Sequence, residues 1–216
     1  MSMSGFFHTL KCMYKGQTLL RIRMNEAFAT HTLKGKVIDV GGGRNPDYFT
    51  YFKKEEGAHV EAVDVSMNGI DFEKDPLPFP AKSIDTIILA NVLEHIYNHQ
   101  FLLEQIRTVL CPQGKLIGFV PFWIGYHPDP HDYFRYTKEA LMRMLTDAGF
   151  ANISITPLSV GPIRANFNTL MLSFPRIIRP LLYIPYALFD QLFIAARPNV
   201  VQRNPLGFVF TATPHD

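Results

Sequence analysis

Two stretches of the chain hold residue types that can do chemistry. The first is Asp39-Val40-Gly41-Gly42-Gly43. Three successive glycines leave no Cβ in the turn, so backbone N–H groups can come close to a ligand. A nucleotide or an amino-acid carboxylate suits that geometry. The second is the run from Pro121 to Thr137, which carries Trp123, His127, Asp129, His131, Asp132, Tyr133 and Arg135. An imidazole titrates near neutral pH and can take a proton from a hydroxyl. His131 is the expected general base, with His127 second to it, and Asp132 is expected to orient the ring. A competing reading pairs Asp132 with Arg135 and gives His131-Asp132 only the task of bracing the loop. His127, Asp129, His131 and Asp132 are also metal-ligand types. Pro128 and Pro130 hold them extended, so the histidines share no helix face and no metal is expected.

The elements around these stretches can be read in order. Gln17 to Thr30 lacks glycine and proline and has helix-like apolar spacing. Lys36 to Val40 is a strand that stops at the glycines. Asn45, Pro46 and Asp47 then suit an N-cap, a first helical position and the positive end of a dipole. A helix is expected from about residue 46 to 54, with Lys53 and Lys54 at its negative end and Gly57 turning the chain after it. His59 to Asp64 reads as a second strand. Asp64 stands about twenty residues past the glycines, where an acid accepts hydrogen bonds from ribose hydroxyls. The alternative is a helix-capping Asp before Ser66. A short third strand around Gly69-Ile70 leads to Asp71-Phe72, an acid and a ring that suit the amine and face of adenine.

Thr86 to Ala90 is continuously apolar, as a strand buried on both faces should be. It ends at Asn91-Val92-Leu93-Glu94-His95, where Asn91 and Glu94 have the spacing of a capping box. An amphipathic helix from Phe101 to Leu110, a turn at Cys111-Pro112-Gln113-Gly114 and a strand from Lys115 to Val120 follow. Thr137 can cap a helix that ends at Ala148 before Gly149. Asn152 to Thr156 and Phe208 to Thr213 read as the last two strands. Strands alternating with helices predict a three-layer α/β sandwich with a mainly parallel sheet.

Asp39-x-Gly41-x-Gly43 at the end of a first strand resembles motif I of the class I S-adenosylmethionine-dependent methyltransferases. Asp75-Pro76-Leu77-Pro78-Phe79-Pro80 through Asp85 and Asn91 through His95 resemble further motifs of that family, in order and at similar spacing. The resemblance covers about residues 36 to 156 and the final strand. It implies a Rossmann-like seven-stranded sheet with an antiparallel last strand. Residues 1–35 would form a helical cap, 36–156 with 206–216 the cofactor-binding core, and 157–205 an aromatic-rich insertion serving as an acceptor lid. The cofactor implied is S-adenosylmethionine, bound by Asp39, Gly41, Gly42, Gly43, Asp64, Val65, Asp71, Phe72 and Asn91. Ligands lie off the carboxyl ends of the strands in such sheets, so the loop after the fifth strand borders the methyl group. Trp123, Tyr133 and Arg135 are the expected substrate contacts.

The implied activity is methyl transfer, at oxygen, to a small-molecule, sugar-containing or lipid-linked acceptor. His131-Asp132-x-x-Arg135-x-Thr137 resembles a pattern in bacterial methyltransferase-domain proteins, some encoded among sugar and cell-surface functions. Two alternatives stand beside it. An NAD-dependent dehydrogenase needs a third small residue in the glycine fingerprint, and Pro46 occupies that place. A non-catalytic protein of the same fold could bind a partner through its aromatic tail.

Composition sets outer bounds. The chain has 216 residues, 47% hydrophobic and 19% charged, which suits one domain with an appendage. A formal net charge of +2 gives no reason to expect a nucleic-acid partner. Cys12 and Cys111 have no metal or redox spacing, and residues 1–10 show no charged-then-apolar leader, so a cytoplasmic protein is expected. Ile177 to Ala196 approaches the length of a membrane span, but Arg179, Pro180, Pro185 and Asp190 interrupt it. A helical flap packed on the core is the expected form. The other reading is a peripheral membrane contact through 177–197, with Arg176, Arg179 and Arg197 meeting anionic headgroups. None of these features bears on oligomeric state.

Overall fold

The structure, a computed structural model, describes residues 3–43 and 47–215. Two helices lead, α1 (Met3–Tyr14) and α2 (Leu19–Phe28), before a two-residue strand β1 (Thr32–Leu33) and then β2 (Lys36–Val40). A 3-10 turn at Asp47–Thr50 is followed by β3 (Lys53–Lys54), β4 (His59–Val63), α3 (Val65–Asn68) and β5 (Ile84–Ala90). Next come a 3-10 turn at Leu93–His95, α4 (His99–Val109), β6 (Leu110–Pro121), α5 (Lys138–Asp147) and β7 (Phe150–Ser159). The chain closes with α6 (Pro162–Leu170), α7 (Arg179–Ala196) and β8 (Pro205–Pro214).

The sheet has the order β4-β2-β5-β6-β8-β7. β4, β2, β5 and β6 pair in parallel, and β8 runs antiparallel to both β6 and β7. β5 carries Ile87, Ile88 and Leu89 fully buried, because helices cover both faces at its position. On one face Ile38, Ile87, Leu116 and Phe210 meet Leu102, Leu103 and Ile106 of α4. On the other Val37, Ile88, Ile117 and Phe119 meet Leu20, Met24 and Phe28 of α2 together with residues of α6 and α7. Each such side chain contributes about 1.5–3 kcal/mol relative to exposure. The three-layer α/β architecture with a mainly parallel sheet and an antiparallel last strand is therefore as expected.

Local chemistry explains the elements that match expectation. Thr18 caps α2, its hydroxyl accepting from the Arg21 N–H at 3.1 Å, and Thr137 caps α5 by accepting from Ala140 at 3.2 Å. Such caps contribute about 1 kcal/mol each. The Cys111–Gly114 hinge is a bulge: Ile84 pairs with Leu110 and Thr86 already with Lys115.

Four expectations are corrected. The described sheet has six strands, not seven. The missing one is the strand around Gly69-Ile70: Gly69 takes a left-handed conformation that ends α3, and Asp71 and Asp75 then fold the chain into turns by accepting main-chain N–H groups. The helix expected after the glycines is, in its described part, only one 3-10 turn. Tyr48 and Phe52 instead pack on Phe28, at 5.8 and 4.6 Å between ring centres, and Lys53-Lys54 pair with Thr32-Leu33. The expected start at Asn45 and Pro46 lies outside the described residues. The capping box at Asn91 and Glu94 does not form. Asn91 adopts a left-handed conformation with φ 56°, and Glu94 turns into the interior.

The segment before β8 folds back on the body. Asp190 of α7 is fully buried, pairs with Arg164 of α6 and accepts from the Ile163 N–H at 3.0 Å. Asn168 of α6 accepts from the Leu20 N–H at 2.9 Å, which ties this segment to α2. Among the described residues no helix is long and apolar enough to cross a membrane.

Candidate active site

The carboxyl ends of β2, β4, β5 and β6 open onto a cleft. At its centre is the glycine turn. Gly41 has φ 77°, and a Cβ there would strike Val92; a Cβ on Gly42 would fall on the Asp39 carboxylate. Both positions therefore require glycine. Asp39 is fully buried, and the Tyr48 hydroxyl lies 2.9 and 2.8 Å from its two oxygens. Burial pushes its carboxyl up to about 7, against the lowering effect of the Tyr48 hydrogen bond. Asp39 thus braces the turn from beneath rather than lining the cleft.

Gly41, Gly42, Gly43, Asp64, Val65, Phe72 and Asn91 line a space of about 500 Å3. Asp64 closes one end. Its Oδ1 accepts from the Ser66 N–H at 2.8 Å and its Oδ2 from the Gly43 N–H at 3.2 Å, so the capping alternative is realised. Asp71 does not line this space. Its carboxylate is taken by Lys74 at 2.9 Å and by the Glu73 N–H, which hold it below the ordinary carboxylate range.

Two smaller spaces join the first at Asn91. One, about 350 Å3, lies among Arg21, Gly41, Gly42, Asp47 and Tyr48. The other, about 280 Å3, is walled by Leu20, Arg21 and Met24 of α2, by His95 and Phe119, and by Ile124, His127 and Asp129 of the loop after β6. The side chains walling it come from α2, the ends of β5 and β6, and this loop. The insertion after β7 supports α2 from behind.

The loop after β6 takes the second of its two expected patterns, the pairing of Asp132 with Arg135. Asp132 does not hold His131. It forms a two-pronged pair with Arg135, at 2.5 and 2.7 Å, and accepts from the His127 N–H at 2.9 Å. Arg135 holds the Asp132 carboxyl far below its usual range. His131 is exposed, lies against Tyr133, and gives only its main-chain oxygen to the site. The expected His131–Asp132 dyad is corrected on that ground: the bidentate guanidinium outcompetes a neighbouring imidazole for the carboxylate. Tyr133 joins an outer aromatic group with Tyr97 and Phe134, and Trp123 packs in the core face shared with α6.

His127 does reach the site. Its Nε2 lies 3.7 Å from Glu94 Oε1, and His95 Nε2 lies 3.7 Å from the same oxygen. The Glu94 carboxylate beside it raises the His127 imidazole above its ordinary value, against the lowering effect of burial. Glu94 and His95 belong to a motif visible in the sequence, yet only the folded chain brings His127 to them. Arg21 and Tyr48 had no sequence signal beyond their presence in predicted helices.

A family model described as "Methyltransferase domain" matches residues 14–155. A protein of Mycobacterium tuberculosis described as a probable S-adenosylmethionine-dependent methyltransferase is 25% identical over 111 residues, 49% of this chain and 40% of its own length. The match thus spans less than half of that relative. Demethylmenaquinone methyltransferase of Tropheryma whipplei is 27% identical, over 59% of this chain and 71% of the relative. Among solved structures, 1,6-didemethyltoxoflavin-N1-methyltransferase of Burkholderia thailandensis, with its substrate and S-adenosylhomocysteine bound, superposes with a TM-score of 0.53. It is 17% identical and covers 99% of this chain and 85% of its own, a likeness of fold.

Proposed function

The chain belongs to the class I S-adenosylmethionine-dependent methyltransferases, and we propose that it moves the cofactor's methyl group to a hydroxyl of a small-molecule acceptor seated between Asn91 and His127. One observation carries this reading: the cofactor-sized cleft over the glycine turn and the smaller space walled by His95 and His127 meet at Asn91. A sulfonium methyl is already activated, so in-line placement of an acceptor across such a junction supplies most of what the reaction needs. Asp64 is the ribose acceptor in this reading, with Val65 and Phe72 against the nucleoside. Arg21, whose Nη1 lies 3.5 Å from Asp47 Oδ1 in the adjoining space, is the group assigned to the amino-acid carboxylate of the cofactor in this reading.

The proton of the acceptor hydroxyl is handled by the group of Glu94, His95 and His127, with Asp132 and Arg135 fixing the loop that carries His127. Trp123 and residues 157–205 form a second layer behind the acceptor wall. The names of the T. whipplei relative and the B. thailandensis structure support a small-molecule acceptor. The test is calorimetry with S-adenosylhomocysteine, followed by labelled-cofactor screening of metabolite, glycan and lipid fractions. Cofactor binding without transfer to any fraction would support a non-catalytic protein of this fold.

A separate observation bears on how a greasy acceptor would arrive. α7 buries Tyr183, Ala187 and Asp190 against the body, while Leu181, Leu188, Phe189 and Leu192 on its other side are each more than half exposed. With Arg176, Arg179 and Arg197 at its ends, this face supports the peripheral membrane contact. Flotation with anionic vesicles at low salt tests it; protein that stays at the bottom of the gradient leaves a flap alone.

A further inference from the structure

We propose that Glu94, His95 and His127 form a binding site for one divalent first-row transition-metal ion at the acceptor end of the cleft. The first reason is Glu94. Its side chain is fully buried, and neither carboxylate oxygen accepts a hydrogen bond. A carboxylate withdrawn from water in this way is ordinarily paired, neutralised or bound to a metal. Its neighbours are two imidazole nitrogens at 3.7 Å. That distance is too long for a hydrogen bond and suits two ligands that share an ion. The three ligand atoms all lie within 4.8 Å of one another.

The second reason is the tautomer each ring is held in. His95 Nδ1 lies 2.6 Å from the His131 carbonyl oxygen, and His127 Nδ1 lies 3.1 Å from the Gly125 carbonyl oxygen. Carbonyls only accept, so each Nδ1 carries a proton, and each Nε2 faces Glu94 with either a lone pair for an ion or a second proton. Arg135 Nη2 stands 3.2 Å from His127 Nδ1, but it has acceptors of its own in Asp132 and the Gly125 carbonyl. With both rings neutral, the two lone pairs and the carboxylate repel one another, and either a proton on His127 or a metal ion between the three relieves that repulsion. Ligating histidines show the same arrangement, the far N–H fixed by a main-chain carbonyl.

Two imidazoles and one carboxylate leave coordination positions for an exogenous ligand, and such a set suits zinc, iron(II), cobalt(II) or manganese(II). His95 and His127 both border the acceptor space. The consequence for the reaction rests on the proposed methyl transfer. An acceptor hydroxyl bound to the ion loses its proton to water more readily. Its oxygen then forms a bond to the methyl carbon as the sulfur–carbon bond breaks. The products are a methyl ether and S-adenosylhomocysteine, with one proton released to solvent. The sequence-based expectation of no metal took the run from His127 to Asp132 and the stretch from Asn91 to His95 separately, and did not bring His127 beside Glu94 and His95.

The experiment uses untagged, full-length protein stripped with a chelator and titrated with cobalt(II), followed by its visible absorption, and with zinc(II) in competition. One cobalt per chain, displaced by zinc, is expected. Glu94→Gln and His127→Gln should each weaken cobalt binding by about tenfold or more, a coordination loss on the scale expected for a ligand or its support. Both should keep S-adenosylhomocysteine affinity within about threefold, which shows that the variants fold. No cobalt or zinc binding at micromolar concentration, or unchanged binding in Glu94→Gln, overturns the site. Metal binding without any S-adenosylhomocysteine binding would leave the site standing and defeat the cofactor reading instead.

Discussion

Two turns at the carboxyl edge of the sheet each bury a carboxylate completely, and they treat it in opposite ways. Asp39, at the end of β2, receives the Tyr48 hydroxyl on both oxygens and supports the glycine turn. Glu94, in the turn after β5, receives no hydrogen bond on either oxygen and faces two imidazoles instead. A satisfied buried acid braces its surroundings. An unsatisfied one is retained at a cost in stability, which is intelligible when it binds something. The difference separates a structural half of the cleft, under the cofactor, from a chemical half, beside the acceptor.

The sharpest test of this contrast is Glu94→Gln. Methyl transfer should fall about 100-fold or more, the scale of losing proton handling, while the melting temperature stays level or rises because a buried charge has gone. A variant with full turnover would reduce Glu94 to packing. Asp39→Ala should show the reverse. Loss of up to about 3 kcal/mol is expected in urea unfolding, since the Tyr48 hydroxyl is left unpaired and a void opens. Undiminished stability there would mean that Asp39 does not brace the turn.

Asp64→Ala is expected to weaken S-adenosylhomocysteine by about 1–3 kcal/mol in calorimetry, the range for hydrogen bonds to a charged group. Unchanged affinity would move the ribose to another acid. The same contrast can be read in pH dependence. Burial raises the Asp39 carboxyl from 3.8 to about 7. The native state therefore holds a proton that the unfolded chain gives up. This contribution is complete below about pH 4 and is lost as pH rises through about 7. Asp39→Asn keeps an acceptor for Tyr48 and cannot titrate, so its stability should change less between pH 4 and 7 than that of the parent. Parallel curves would place the titration elsewhere.

The sequence by itself determined the layered α/β plan, the strand that ends at Asp39 to Gly43, the cap at Thr137 and the left-handed turns at Gly57 and Gly149. Each rests on dihedral preferences, capping or apolar periodicity within a few residues, which a linear reading can see. The capping-box spacing of Asn91 and Glu94 concealed the acid that turns inward, and Asp190 read as a break in an apolar helix when it is the buried partner of Arg164. Likewise Asp132 stood open between a dyad with His131 and a pair with Arg135, and it belongs to Arg135 and to the His127 main chain. Only the tertiary structure could decide these. α4 and β6 separate His95 from His127 in the chain, and burial, competition for a shared acceptor and the meeting of two strand ends act between residues that no local pattern connects.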